Sequence, residues 1–224
     1  MNVLIFGATG MVGQGVLREC LAAPDVAQVL TVGRTPTGVQ HPKLRERVHA
    51  EMWDYRNMAA EMADFDACFF CIGVASAGVD EQKYTHITYD LTLALAHTLV
   101  QCNPQMVLVY VSSKGVDSSE QGRVMWARVR GKTENALLKL ALRGVYIFRP
   151  GMIEPVGVKS RTPAYRVFYA LTKPLLPVLR KLLPDQVLST PQLGQAMLAV
   201  ARHGAPKRVL ESGDINALSR RILK

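Results

Sequence analysis

Asn2-Val-Leu-Ile-Phe-Gly-Ala-Thr-Gly-Met-Val-Gly-Gln-Gly15 decides how the rest of the chain folds. Val3 to Phe6 is a short apolar run closed by Gly7. It is too short for a helix and reads as a strand buried on both faces of a parallel sheet. Gly7, Gly10 and Gly13 follow at a spacing of three, and Met11, Val12, Val16, Leu17, Cys20 and Leu21 carry helical periodicity. The order is therefore strand, glycine turn, helix. Gly7 lets the chain reverse sharply, Gly10 removes a side chain where a diphosphate must lie, and Gly13 lets the helix pack close to the strand. The N–H groups at the helix start then face the anion. Thr9, Met11 and Val12 share the turn with these glycines and complete the expected phosphate cradle.

The 224 residues suit one domain with a full core, and 49% hydrophobic with 20% charged residues fits a globular protein. No basic region precedes the first apolar run, and no uninterrupted apolar span is long enough to cross a bilayer, so a cytoplasmic protein is expected. Cys20, Cys68, Cys71 and Cys102 read as reduced packing residues. The C-x-x-C of Cys68 and Cys71 lies within an apolar strand rather than an exposed turn, and no clustered histidines complete a metal site. The net charge of +9 is spread over scattered Lys and Arg residues, with no aromatic-interleaved module for nucleic acid. It fits a basic surface and a phosphate-binding cleft.

Further strands are expected at Gln28–Gly33, Arg47–Ala50, Asp66–Gly73, Met106–Val111, Val145–Arg149 and Lys207–Leu210. Helices are expected at Met58–Ala63, from Glu81 to about Leu99, at Arg123–Leu142 and at Pro191–His203. The alternation predicts a doubly wound α/β domain, mainly parallel, with a dinucleotide-binding core over 1–152. The remainder, 153–224, is expected to form a short C-terminal cap plus the last helix and strand of the same domain. At the end of the second strand stands Arg34, with no acid, which favours a 2′-phosphate and hence NADP over NAD. Asp54 is a candidate acceptor for the adenine amino group, with Tyr55 beside the ring. Cys71, Ile72 and Gly73, at the end of the fourth strand, are expected to line the cofactor crevice.

Gly7–Gly13, Arg34, Ser112–Ser113 and Arg149-Pro150-Gly151 on alternating strands and helices resemble the short-chain dehydrogenase/reductase superfamily. The likeness is to its extended and atypical branch, the NAD-dependent epimerase/dehydratase-like proteins. Ser112-Ser-Lys-Gly-Val-Asp117 and the shortened C-terminal region are similar to the small Tat-interacting protein group. The resemblance implies a Rossmann core and a nicotinamide cofactor touching Pro150 and Gly151 as well as the residues above. It also implies a catalytic Ser with a Tyr-x-x-x-Lys on the next helix. Ser113 takes the place of the Ser, with Ser112 as the alternative. Trp126 stands where the family has Tyr and Arg130 where it has Lys. An indole N–H donates a hydrogen bond but cannot shuttle a proton near neutral pH. Arg130 retains a positive charge for the ribose without being a like-for-like Lys. Tyr84 is the first substitute proton donor and His86 the second.

The resulting expectation is an NADP-preferring oxidoreductase-like protein with a modified proton relay, acting on a small carbonyl or hydroxyl substrate. The alternative is a cofactor-binding sensor or scaffold without turnover. The basic, apolar stretch 161–184 reads as a lid over the substrate cleft in preference to a peripheral membrane contact.

Overall fold

A computed structural model describes residues 1–158 and 186–221. Its first strand, β1 (Asn2–Phe6), is buried from Val3 to Phe6, as a central strand of a covered sheet must be. The turn leads into α1 (Met11–Ala22), then β2 (Gln28–Gly33) and β3 (Leu44–Val48). A 3₁₀ turn and the short α2 (Ala59–Met62) connect to β4 (Ala67–Phe70). Next come α3 (Glu81–Thr85), a π-helical turn over His86–Asp90, α4 (Leu91–Cys102) and β5 (Val107–Val111). The chain continues through α5 (Met125–Leu137), β6 (Gly144–Arg149) and β7 (Met152–Glu154). After the undescribed stretch it resumes with β8 (Val187–Ser189), α6 (Thr190–His203), β9 (Val209–Glu211) and α7 (Ser212–Arg221).

The described strands of the main sheet run in the order β3-β2-β1-β4-β5-β6-β9, and all pairs are parallel. The order reverses direction between β1 and β4, so the carboxyl ends of those two strands border the crevice where open α/β sheets bind ligands. One core, with Ile5, Val16 and Met197, lies on the α1 and α6 face, and a second, with Phe6, Met62 and Leu95, lies on the α2 and α4 face. Phe6, Phe70 and Tyr110 are register partners on β1, β4 and β5, and their rings touch in sequence across the sheet.

Several boundaries differ from the sequence expectation. The third strand is Leu44–Val48, not Arg47–Ala50: Arg45, Glu46 and Arg47 are exposed on an edge strand, so no apolar run marks it, and pairing of Val29 with Leu44 fixes its register. The helix expected over Arg123–Leu142 spans Met125–Leu137, because Val124 is still extended (φ −84°, ψ 108°). The fourth strand stops at Phe70, and the helix from Glu81 is interrupted by its π turn. β7 and β8, a separate two-stranded parallel sheet, and α7 carry too few apolar residues for the pattern to show them. Residues 159–185, including the whole of the stretch 161–184, fall outside the described residues.

Candidate functional site

The three glycines of the turn answer to different demands. Gly7 sits at φ +81°, and a Cβ there would stand 2.7 Å from the Cys71 carbonyl carbon. A Cβ on Gly13 would fall 2.1 Å from the Gly7 carbonyl oxygen. Both positions are closed by the fold itself. At Gly10 the one atom of the described residues near such a Cβ, beyond its chain neighbours, is the Gly7 oxygen, at 3.3 Å. Gly10 is the residue before the first helical turn of α1 and lines the crevice, so its bare Cα faces open space rather than packing. The N–H groups of Met11, Val12 and Gly13 begin a twelve-residue helix with no acidic residue in its first turn. This cradle fits a diphosphate.

The crevice has a volume of about 280 Å³ and is shared by Gly10, Arg34, Trp53, Gly73 and Ile87. Arg34 is exposed there, and among the described residues its guanidinium has no ion-pair partner. Asp54 is engaged elsewhere: Arg56 donates Nε to both its carboxylate oxygens, at 2.9 and 3.1 Å. The Arg56 hydrogen bonds hold the Asp54 pKa down to about 2. Tyr55 is packed into the core, 1% exposed and edge-on to Phe6 with ring centres 5.5 Å apart, so its ring does not stand on the crevice wall. The aromatic residue on that wall is Trp53, whose indole lies flat on the His86 imidazole at 4.7 Å and 6°. His86 also approaches Asp90 through Nδ1, at 3.1 Å.

At the other end of the site Ser112 and Ser113 part company. Ser112 is buried and its hydroxyl donates to Glu134 Oε1. Ser113 is half-buried at the end of β5. Glu134, itself 1% exposed, also accepts from Arg149 through Nε at 3.0 Å and through a guanidinium Nη. Arg149 reaches on to the Ser118 hydroxyl and to Glu211. Pro150 and Gly151 are structural neighbours of this network: the Pro150 carbonyl accepts from Lys114 N–H, and Gly151 N–H donates to the Ser212 hydroxyl. The Glu134–Arg149 pair thus ties α5 to the carboxyl ends of β5 and β6. Glu134 escapes a sequence reading, since an acid one turn past Arg130 carries no signal of where its partner lies.

Arg130 comes from α5 to a small cavity that shares Ile72, Gly73, Val74 and Ile87 with the crevice. Its Nε donates to the Tyr84 hydroxyl at 2.9 Å, and its Nη2 lies 3.7 Å from where a Cβ on Gly73 would stand. Burial works against its charge, and Tyr110, Tyr84 and Glu134 more than offset that, so its pKa is raised. Burial also pushes the Tyr110 phenol up to about 12, and Tyr110 and Arg130 share a small cavity beside Gly73. Tyr84 is 1% exposed, and its hydroxyl accepts from Arg130 rather than facing the crevice. Trp126, one turn before Arg130, packs its ring 3.6 Å from where a Cβ on Gly115 would sit, against the loop that carries Ser113. His86 stays with Trp53. Cys71 is on the crevice wall, and burial pushes its thiol up to about 12.

Residues 3–125 match the family described as NAD dependent epimerase/dehydratase family. The chain belongs to that family. Its relatives include the protein fmp52-1, mitochondrial, of Aspergillus terreus, 30% identical over 166 residues, which are 71% of this chain and 70% of that protein. The fmp52-2 protein, mitochondrial, of the same fungus is 27% identical over 226 residues, 96% of each chain. These relatives are named mitochondrial proteins, which overturns the cytoplasmic expectation. Among solved structures, the Bordetella bronchiseptica enzyme WbmF in complex with NAD+ superposes with a TM-score of 0.68 at 16% identity, over 99% of this chain and 78% of that one. A short chain dehydrogenase/reductase from Saccharomyces cerevisiae gives 0.65 at 15%, over 98% of both chains. These likenesses establish the Rossmann-like fold.

Proposed function

We propose that the chain is an NADP(H)-binding oxidoreductase that acts on a small carbonyl or hydroxyl compound through a modified proton relay. The observation that carries the reading is the half-buried guanidinium of Arg130, held by Tyr84 beside Gly73 in the small cavity that adjoins the crevice. Arg34, exposed at the same crevice without an ion-pair partner among the described residues, supports the choice of NADP. Gly10, Met11, Val12 and Gly13 would hold the diphosphate, Arg34 the 2′-phosphate and Arg130 the ribose near the reacting end.

When bound, such a cofactor supplies or accepts a hydride at the carbon bearing the reacting oxygen. The chain's own groups act on that oxygen. Ser113 donates a hydrogen bond to it, and the fixed charge of Arg130 stabilises its negative charge. Trp126 offers an N–H donor and no transferable proton. Tyr84, shut off behind Arg130, is a positioning residue for the guanidinium, and the proton exchanges with water at the stabilised oxygen.

Arg34→Ala is expected to weaken NADPH binding by roughly 1.5–3 kcal/mol, the size of a hydrogen bond to a charged group, and to leave NADH nearly unchanged. Calorimetry with both coenzymes reads this directly, and equal losses would assign Arg34 another role. Tyr84→Phe is expected to lower kcat/KM about tenfold with the pH profile in place. A loss of about 10²-fold with a moved acid or base limb would make Tyr84 the donor itself.

A second reading, a cofactor sensor or scaffold without turnover, is favoured by one observation: Trp126 occupies the position of the family's proton-donating Tyr. Combining Trp126→Tyr with Arg130→Lys separates the two. Reductase activity arising only in the double variant, on a panel of carbonyl compounds, supports the sensor; wild-type turnover of any panel member supports the enzyme.

A further inference from the structure

The loop after β3 ends in a contact that the dinucleotide reading above does not use. Trp53 and His86 come from different elements, the loop leading to the 3₁₀ turn and the π turn between α3 and α4. Their rings are stacked 4.7 Å apart and within 6° of parallel. The indole N–H also donates to the His86 carbonyl, at 3.3 Å, so the ring is fixed in its plane as well as on its face. Met52 on one side is 5% exposed and Tyr55 on the other 1% exposed, which anchors the backbone on both sides of Trp53. Yet Trp53 itself remains 38% exposed and borders the same crevice as Arg34 and Gly33.

An indole with one face covered by an imidazole, its N–H engaged and its backbone anchored has a single face left for a ligand. Trp53 and Arg34 line the same crevice. A flat, weakly polar aromatic ring is the chemistry that such a face takes, because stacking needs no directional partner and the ordering cost of the indole is already met. A guanidinium beside it takes the phosphate that such a ring would bring.

We infer that Trp53, backed by His86, is the stacking platform for a purine base whose attached phosphate meets Arg34, and that it replaces the Asp54–Tyr55 pair in that role. The inference rests on the dinucleotide reading and narrows it to one end of the ligand. It makes Trp53 and His86 residues that set affinity for the adenine half, without a part in the chemistry.

The two tryptophans of the chain, Trp53 and Trp126, make the test direct. In Trp126→Phe, Trp53 is the sole indole emitter. Adenosine 2′,5′-bisphosphate, which carries the base and the 2′-phosphate without nicotinamide, is expected to quench its fluorescence on titration. Inorganic pyrophosphate, which fills only the glycine turn, is expected to leave it unchanged. By calorimetry on the otherwise wild-type chain, Trp53→Ala is expected to weaken both adenosine 2′,5′-bisphosphate and NADPH by about 5- to 150-fold, the range for stacking one base on an aromatic ring. Trp53→Phe is expected to keep most of the affinity and His86→Ala to lose part of it. If NADPH binds the wild-type chain while Trp53 emission does not change and Trp53→Ala binds equally well, the platform is refuted and the dinucleotide reading stands. If NADPH and the bisphosphate give no heat with the wild-type chain, both fall together.

Discussion

Gly10→Val is expected to abolish dinucleotide binding and leave the fold in place. Among the described residues, a Cβ at Gly10 meets only the Gly7 carbonyl oxygen, at 3.3 Å, a contact that a small backbone adjustment relieves. Its branches then project into the crevice ahead of the α1 N-terminus, where a diphosphate must approach the N–H groups of the first turn. The expected loss exceeds about 10²-fold, or about 2.8 kcal/mol. Gly13→Val is the contrasting case. Its Cβ would sit 2.1 Å from the Gly7 oxygen, so the turn itself must break and stability falls with it. Calorimetry beside circular dichroism distinguishes the two. A Gly10→Val protein that keeps its spectrum and its affinity removes the diphosphate from this turn.

Glu134→Ala is expected to cost about 3–5 kcal/mol of stability, the usual penalty for breaking a buried ion pair from one side. The carboxylate is 1% exposed and serves Ser112 and Arg149 at once. Its loss leaves the Arg149 guanidinium, whose side chain is 14% exposed, facing Glu211 at 3.5 Å as its remaining ion-pair partner among the described residues. Urea unfolding of the variant and of Glu134→Gln measures this. The glutamine keeps the shape and an acceptor, so it should lose less. A change below about 1 kcal/mol in the alanine variant would mean that Arg149 is held by solvent and not by this pair.

The fold was legible where a residue's neighbours along the chain dictate its environment. Val3–Phe6 is apolar because it is covered on both faces, and Gly7 and Gly13 are glycine because backbone presses on them, so strand, turn and helix follow from fourteen consecutive letters. β3 was misplaced because an edge strand with Arg45, Glu46 and Arg47 facing solvent carries no burial signal. The site was legible in position and less so in role. Arg130 was read as standing in for the family's Lys and lies beside Gly73, but its partner Tyr84 is 46 residues away in sequence and was read as a substitute proton donor when it is buried. Ser112 and Ser113 are adjacent letters with opposite fates, set by Glu134, 22 residues beyond Ser112. Tyr55 and Trp53 exchange places for a similar reason: which of two nearby aromatics enters the core depends on how the loop leaves β3, and spacing alone does not encode that.

The central claim is that this crevice holds NADP(H) with Arg34 on the 2′-phosphate. Titration of the wild-type chain with NADPH and with NADH, side by side in a calorimeter, tests it most directly. Saturable binding of NADPH at least about tenfold tighter than NADH, a difference of about 1.4 kcal/mol, is the predicted result. NADH binding as tightly as NADPH, or heat from neither, would contradict it.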